Sequence, residues 1–286
     1  MTTLKQLKIE FEERFHQKWT SLAVLYHYKA IISQLTEIPF NQVVFHLEDS
    51  LDEGKVSLFK SHIERLDADE PLQHIVGETD FMGYKIICSP DALIPRPETE
   101  ELVELVLSKI DANKDSKILD LCTGTGCIAI ALAILAPKAS LFGIDLFERT
   151  LDLAKLNGRQ NEVSIEWSKA DVLSELEMKS FQTNDFAVWV SNPPYIPNRE
   201  KSEMSENVVL FEPHDALFVP DNDPLLFYRK ITDLAQSGLQ KGGWLFFEIH
   251  ENFGKEMIAL LQEYNFTNIS LKQDMQGKDR MIYGQK

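Results

Sequence analysis

Apolar residues near the start of the chain recur three or four positions apart. They are Leu4, Leu7, Phe11 and Phe15. This spacing places them on one face of a helix over about 3–19. The same reasoning predicts helices over about 21–35 and 52–66, and a short one that begins near Pro71. Because no alternating strand pattern interrupts them, residues 1–78 are predicted to form a small helical domain.

The pattern then changes. Residues 79–88 carry β-prone side chains around a glycine, which predicts a β-hairpin. It would lie in a linker of residues 79–92. Pro97 fits the first position of a helix, and the glutamates that follow complement the positive end of the helix dipole. From Lys117 onward strand and helix signals alternate, so residues 93–286 are predicted to form one α/β domain with a parallel sheet.

The net charge of the chain indicates which kinds of partner it can bind. The chain has 29 Lys and Arg against 45 Asp and Glu, a net charge of 29 − 45 = −16. This charge repels phosphate backbones, so we expect a protein substrate and no direct binding of nucleic acid. Its cysteines, Cys88, Cys122 and Cys127, show no metal-ligand spacing, which predicts no metal site and indicates a reducing compartment. Without a membrane-length apolar run or a signal sequence, we expect no membrane contact and a cytoplasmic location.

A glycine-containing loop follows the first strand of the predicted sheet. Residues 117–133 indicate a strand, a loop and an Ala-rich helix, and Gly124-x-Gly126-x-x-Ala129 fits the dinucleotide-binding pattern. The next strand ends at Asp145, which is 145 − 124 = 21 residues after Gly124. An acidic residue at about this distance is expected to bind ribose hydroxyls. The loop therefore indicates either a nicotinamide dinucleotide or S-adenosylmethionine.

Another predicted buried strand, residues 186–191, ends at Asn192-Pro193-Pro194-Tyr195. The prolines lack the N–H donors that a central strand needs, and ligands bind at this edge of open α/β sheets. The side-chain oxygen of Asn192 and the carbonyl of Pro193 could accept both hydrogens of one planar –NH2 group. The Tyr195 ring could lie against the group that carries it. A plain strand-ending turn is the alternative.

Together the two motifs suggest methyl transfer from S-adenosylmethionine to a planar nitrogen, and here the chain resembles the HemK/PrmC family. Further stretches carry this resemblance: 71–78, 93–103, 211–218 and 274–280. The resemblance implies a class I S-adenosylmethionine-dependent methyltransferase of α/β, Rossmann-like fold. It implies a mostly parallel seven-stranded sheet, a small all-α N-terminal domain for substrate docking and a β-hairpin linker.

The implied reaction is methylation of a glutamine side-chain amide, in a GGQ-type motif of class 1 peptide chain release factors. S-adenosylhomocysteine would be the second product, and we expect the enzyme to be a monomer. The resemblance also assigns the site residues. Those that bind the cofactor would be Cys122, Thr123, Gly124, Thr125, Gly126, Asp145, Asp171, Val172 and Asn192. Those that bind the substrate would be Asn192, Pro193, Pro194 and Tyr195. Of these, Asn192, Pro193 and Tyr195 would be catalytic.

Four residues have two interpretations each. Asp171 could accept a hydrogen bond from the adenine amine or cap a helix. Arg96 could line the cofactor cleft or belong only to a helix start. Cys122 replaces a usual family glycine, and because cysteine is costly at positive φ, we predict a negative φ or a slightly shifted loop. His250 also replaces a glycine, either as a base or as a polar side chain at a strand end.

Three other functions compete. An adenine-N6 methyltransferase of DNA or RNA uses the same turn, but the acidic charge and the helical N-terminal domain disfavour it. A nicotinamide-dependent dehydrogenase would leave residues 192–195 unexplained. A cofactor-binding scaffold without activity would carry the same motifs, and only a measurement of turnover would distinguish it from an enzyme.

Overall fold

The structure is a computed structural model of the chain and describes residues 2–286. It separates into two compact units. The first holds the residues up to Gly77 together with Glu206–Phe211. The second holds Glu78–Ser205 and Glu212–Lys286.

The first unit is helical, as predicted. Its helices are α1 (Leu4–Phe15), α2 (Ser21–Thr36), α3 (Glu53–Asp67) and α4 (Leu72–Val76). The apolar face predicted for α1 is buried. This helix ends at Phe15 and not near Trp19, whose ring stacks on His27 with 4.3 Å between ring centroids. A short antiparallel pair, β1 (Thr2–Thr3) and β2 (Ser50–Leu51), departs from the prediction of no strands, because distant pairing leaves no local pattern.

The second unit begins with the predicted hairpin. It consists of β3 (Glu78–Phe81) and β4 (Tyr84–Ile87), which pair antiparallel. Met82 and Gly83 both have positive φ, as in the tight turns that match strand twist. The Gly83 N–H donates to the Asp80 carboxylate at 3.0 Å, which fixes the turn.

From Pro97 onward helices and strands alternate. In chain order they are α5 (Pro97–Leu107), β5 (Ser116–Leu121), α6 (Cys127–Leu135), β6 (Ala139–Asp145), α7 (Glu148–Gln160), β7 (Glu166–Lys169), α8 (Glu175–Met178), β8 (Phe186–Ser191), β9 (Ile196–Pro197), α9 (Glu206–Phe211), β10 (Phe218–Val219), α10 (Leu226–Gly238), β11 (Leu239–Glu248), α11 (Gly254–Glu263), β12 (Thr267–Gln273) and β13 (Asp279–Gln285). Pro97 is the first residue of α5, and Glu98 and Glu100 lie in its first turn, as predicted.

Seven of these strands form one sheet in the order β12-β13-β11-β8-β5-β6-β7. Strands β11, β8, β5, β6 and β7 run parallel, and β13 runs antiparallel to both of its neighbours. The predicted mostly parallel, seven-stranded sheet is therefore confirmed. In such a sheet the carboxyl ends of β5, β6, β8 and β11 meet at one edge.

The central strands are apolar on both faces because helices cover both. The apolar residues of β5, β8 and β11 are divided between two cores, one on each face of the sheet. The fully buried Trp189 of β8 packs so closely on α10 that a Cβ at Gly238 would lie 2.0 Å from its ring. This contact fixes the distance between α10 and the strand that carries the Asn-Pro-Pro-Tyr turn.

The segment from Tyr195 to Asp223 contains several short elements. Strands β9 and β10 pair parallel within it, and short 3-10 turns and α9 fill the remainder. Among residues 2–286, no helix is both long and apolar enough to cross a membrane.

Candidate active site

The loop after β5 lines a cavity at the carboxyl edge of the sheet. Gly124 and Gly126 have φ values of 57° and 83°, a region that glycine enters without steric cost. A Cβ on Gly124 would meet no heavy atom within 4 Å, whereas one on Gly126 would lie 2.8 Å from the Trp167 ring. Gly124 therefore exposes bare backbone at the cavity, and Gly126 permits close packing behind it.

Cys122 corrects one prediction. Its φ is 59°, so the negative φ predicted from the cost of a side chain there is wrong. The neighbouring N–H of Thr123 donates to the Ile144 carbonyl at 2.9 Å and ties the loop to β6. This tertiary bond helps to hold the loop at the positive φ of Cys122, against a cost of roughly 1–2 kcal/mol. Burial, with the nearby carboxylate of Asp145, raises the pKa of the Cys122 thiol, which stays neutral.

Asp145 ends β6 and faces the same cavity. Its carboxylate accepts the Gly124 N–H at 3.0 Å and the Phe147 N–H at 3.3 Å. Burial raises its pKa, and these backbone donors oppose the shift. The acid and the glycine loop, which the sequence separates by 21 positions, are thus in direct contact.

Asp171 follows β7 and also lies in the cavity wall. Its carboxylate accepts the Leu173 N–H at 2.8 Å. The alternative interpretation as a helix cap is wrong, because Ser174 is the residue that caps α8. The adjacent Val172 is buried and gives this part of the wall an apolar surface.

Asn192 follows β8 directly and lies in the cavity wall with Pro194. Its Nδ2 donates to the Thr99 hydroxyl at 3.3 Å. Thr99 in turn donates to Oε2 of Glu248 at 2.7 Å, and Tyr195 donates to Oε1 at 3.1 Å. One buried carboxylate thus holds groups on both sides of the Asn-Pro-Pro-Tyr turn.

Thr99 and Glu248 are site residues that the sequence reasoning did not identify. Burial raises the pKa of Glu248, while the hydroxyls of Thr99 and Tyr195 and the charge of Arg280 oppose the shift. A signal for Glu248 exists in the sequence, since it is an acid at the end of an otherwise apolar strand. No comparable signal marks Thr99.

Arg96 lies in the cavity wall, at the N-cap of α5. Its guanidinium donates to Oε1 of Glu212, whose side chain is almost fully buried. Oε2 of Glu212 accepts the Ile94 N–H at 3.0 Å. Glu212 therefore joins the segment before α5 to the one that precedes β10.

His250 is engaged elsewhere. Its Nε2 lies 2.8 Å from Oε2 of Glu200, and its Nδ1 accepts the Asn252 N–H at 3.2 Å. Both ring nitrogens have partners and His250 is not part of the cavity wall, which favours the strand-end interpretation.

The fully buried Asn157 of α7 connects the hairpin to the glycine loop after β5. Its Oδ1 accepts the Ile87 N–H at 2.7 Å, and its Nδ2 donates to the Ile87 carbonyl at 3.1 Å. The same Nδ2 donates to the Thr125 carbonyl at 2.9 Å.

The cavity brings most of the predicted site residues together. In its wall lie Cys122, Thr123, Gly124, Thr125, Asp145, Asp171, Val172, Asn192 and Pro194. Gly126, Pro193 and Tyr195 adjoin these residues in the chain and are not part of the wall. Residues 2–286 hold no group of three or more His, Cys, Asp or Glu side chains placed to bind a metal ion.

Comparison with known proteins agrees with this arrangement. The family model described as methyltransferase small domain matches residues 97–215, and that of the PrmC N-terminal domain matches residues 26–77. A release factor glutamine methyltransferase of Flavobacterium psychrophilum is 46% identical over 235 residues, which cover 81% of each chain. Its counterpart in Streptococcus pneumoniae is 34% identical over 284 residues, which cover 98% of this chain and 97% of that one.

A solved structure shares the fold. The match to a methyltransferase from Pyrococcus furiosus covers 79% of this chain and 97% of that one, with a TM-score of 0.53 and 13% identity.

Proposed function

The chain belongs to the family of release factor glutamine methyltransferases, and from this premise we propose that it methylates the side-chain amide of a glutamine in a peptide chain release factor. The methyl donor is S-adenosylmethionine. One observation carries the proposal. Asn192, which could accept a hydrogen bond from a substrate amide, lies in the wall of the cavity that Gly124 and Asp145 also line.

The cavity fits this donor. Asp145, at the end of β6, would accept hydrogen bonds from the ribose hydroxyls. Gly124 has no side chain to obstruct the approach of a ligand to the loop. Asp171 and Val172, after β7, would hold the adenine, with the Asp171 carboxylate accepting from its amine and Val172 contacting its face.

S-adenosylmethionine, when bound, supplies a methyl group on a positively charged sulfur. The amide nitrogen is a poor nucleophile because its lone pair is delocalised into the carbonyl. Acceptance of its two hydrogens by Oδ1 of Asn192 and the Pro193 carbonyl would orient the nitrogen and stabilise the positive charge that develops on it. Positioning contributes up to roughly 7–11 kcal/mol in favourable cases. A base is not needed before transfer, since the nitrogen becomes acidic only as the bond forms.

A protein substrate agrees with the charge. At −16, the chain repels polyanions, which disfavours an adenine-N6 methyltransferase of DNA or RNA. The relatives carry release factors in their names, and residues 26–77 match an N-terminal domain model specific in name to this family. We assign the helical unit to docking of the release factor.

The test is a methylation reaction with two acceptors present. The protein is incubated with methyl-labelled S-adenosylmethionine, a bacterial class 1 release factor and total RNA, and the labelled residue is mapped by mass spectrometry. We expect label on one glutamine and none on RNA, and a release factor with that glutamine replaced by alanine should stay unlabelled. Label on adenine, or none on the release factor, would contradict the proposal.

A further inference from the structure

Glu248 occupies a particular place in the sheet. It is the last residue of β11 and is 2% exposed. In the pairing of β11 with β8, Phe247 is opposite Ser191, so Glu248 is level with Asn192. A buried carboxylate therefore lies on the strand beside the amide of the Asn-Pro-Pro-Tyr turn.

Both carboxylate oxygens of Glu248 have hydroxyl partners. Oε2 accepts from Thr99 at 2.7 Å and Oε1 accepts from Tyr195 at 3.1 Å. The ionised form of Glu248, which these two hydroxyls and the charge of Arg280 favour, only accepts hydrogen bonds, so each hydroxyl donates its single hydrogen to it. The Thr99 oxygen then has only acceptor capacity left for Asn192.

This constraint decides which way the Asn192 amide faces. An amide has an oxygen that accepts and an NH2 that donates, and its orientation follows from the hydrogen bonds around it. Because Thr99 can only accept from it, the NH2 must face Thr99, as the 3.3 Å contact shows. Among residues 2–286, no donor is bound to Oδ1 of Asn192, which remains available at the cavity.

We propose that Glu248 is a positioning residue that acts through Thr99 to present Oδ1 of Asn192, and not its NH2, to the substrate amide. This inference rests on the proposed function and deepens it. With the amide reversed, an NH2 would face the –NH2 of the glutamine, and two donors cannot bond. Glu248 also holds the Tyr195 hydroxyl, so one charge organises both ends of the turn.

The variants Glu248→Gln and Thr99→Val test this role. Glutamine has one acceptor oxygen and one NH2 donor in place of two acceptor oxygens, so Thr99 and Tyr195 can no longer both donate to residue 248, and the direction of the Thr99 hydrogen is no longer fixed. Valine keeps the shape of threonine without the hydroxyl. Each change should lower kcat roughly 10- to 100-fold, as expected for one lost hydrogen bond. The affinity for S-adenosylhomocysteine should stay at the wild-type value.

Two further variants separate positioning from a general structural effect. Thr99→Ser keeps the hydroxyl, so its kcat should be close to that of the wild type. The double variant of Glu248→Gln and Thr99→Val should lose little more than either single change, because both act on the same amide. A structural defect would instead lower the affinity for S-adenosylhomocysteine. The losses of kcat in the two single variants would then add up in the double variant.

A spectroscopic readout is independent of catalysis. The side-chain NH2 signal of Asn192, identified in 1H–15N spectra by its loss in Asn192→Asp, should shift in Glu248→Gln and Thr99→Val and stay in place in Thr99→Ser. An unmoved signal in the first two variants would overturn the inference, even if kcat fell. So would wild-type kcat in both variants. Should the wild type methylate no glutamine, the proposed function fails, and the position of this signal still decides the role of Glu248.

Discussion

In the proposed reaction, different residues of the site hold the cofactor and orient the acceptor. Asp145 lies at the end of β6, where its carboxylate holds the Gly124 N–H. Asn192 lies two strands away at the end of β8, with its amide bound to Thr99. Since the two residues would bind different reactants, their substitutions should affect different kinetic constants.

Replacement of Asn192 and of Asp145 should give opposite patterns. Asn192→Ala removes an acceptor used in the transition state, so we expect kcat to fall roughly 100- to 1000-fold with little change in cofactor affinity. Asp145→Ala removes charged hydrogen bonds to the ribose, so the Kd for S-adenosylmethionine should rise about 10- to 100-fold. Calorimetry and steady-state kinetics measure the two effects.

Asp145→Asn is the matched control for the second change. Its one oxygen can still accept the Gly124 N–H, while its NH2 cannot accept the longer bond from the Phe147 N–H, so it keeps the bond to the loop and loses only part of the ribose contact. Cofactor affinity should lie between those of the wild type and Asp145→Ala. Equal losses of kcat and affinity in the Asn192 and Asp145 variants would contradict the division of roles.

Elements of secondary structure position these residues through a few close contacts. Trp189 on β8 lies against α10 at Gly238, where a Cβ would lie 2.0 Å from the indole. Overpacking of this kind costs typically 1–3 kcal/mol because a well-packed core cannot open to admit a methyl group.

Gly238→Ala should therefore lower the free energy of unfolding by about 2 kcal/mol or more. Gly158→Ala in α7 is the control, because its Cβ would lie 3.6 Å from the nearest atom, an ordinary contact. That change should be neutral or stabilise the helix by up to about 1 kcal/mol. Urea unfolding curves compare the two, and equal stability of both variants would refute the packing argument.

The loops that carry the motifs were predictable because their signals are local. Gly124 and Gly126 mark one strand end, and Pro193 and Pro194 mark the other. The bond between Thr99 and Glu248 was not predictable, because 149 positions separate them and only the packing of α5 against β11 brings them together. The φ of Cys122 was predicted wrongly because tertiary bonds outweigh the local preference of one residue.

The stability of the whole fold should depend on pH through Asp120. Burial raises the pKa of this carboxyl to about 7 from an ordinary value of 3.8, and the Thr123 hydroxyl opposes the shift. Between these values the folded protein binds more protons than the unfolded one. Stability therefore decreases as pH rises from about 4 to 7. Above pH 7 this contribution of Asp120 to stability is fully lost, and stability no longer changes with the ionisation of Asp120.

Asp120→Asn removes this dependence, since an amide does not ionise. The free energy of unfolding of the variant relative to the wild type should increase between pH 5 and pH 8 by on the order of 2 kcal/mol, at 1.36 kcal/mol per pKa unit. Urea unfolding at several pH values, followed by tryptophan fluorescence, measures the difference. A constant difference across this range would mean that Asp120 ionises normally in the folded protein.

Asn157 joins the hairpin to the glycine loop after β5 by hydrogen bonds, although these segments are far apart in the chain. Its one amide is shared by Ile87 in the hairpin and Thr125 in the glycine loop after β5, and both of its N–H groups are in use. We therefore expect that opening of the hairpin loosens the loop, and that a ligand which stiffens the loop damps fluctuations of the hairpin. The hairpin would in this way fluctuate less when the cavity is filled than when it is empty.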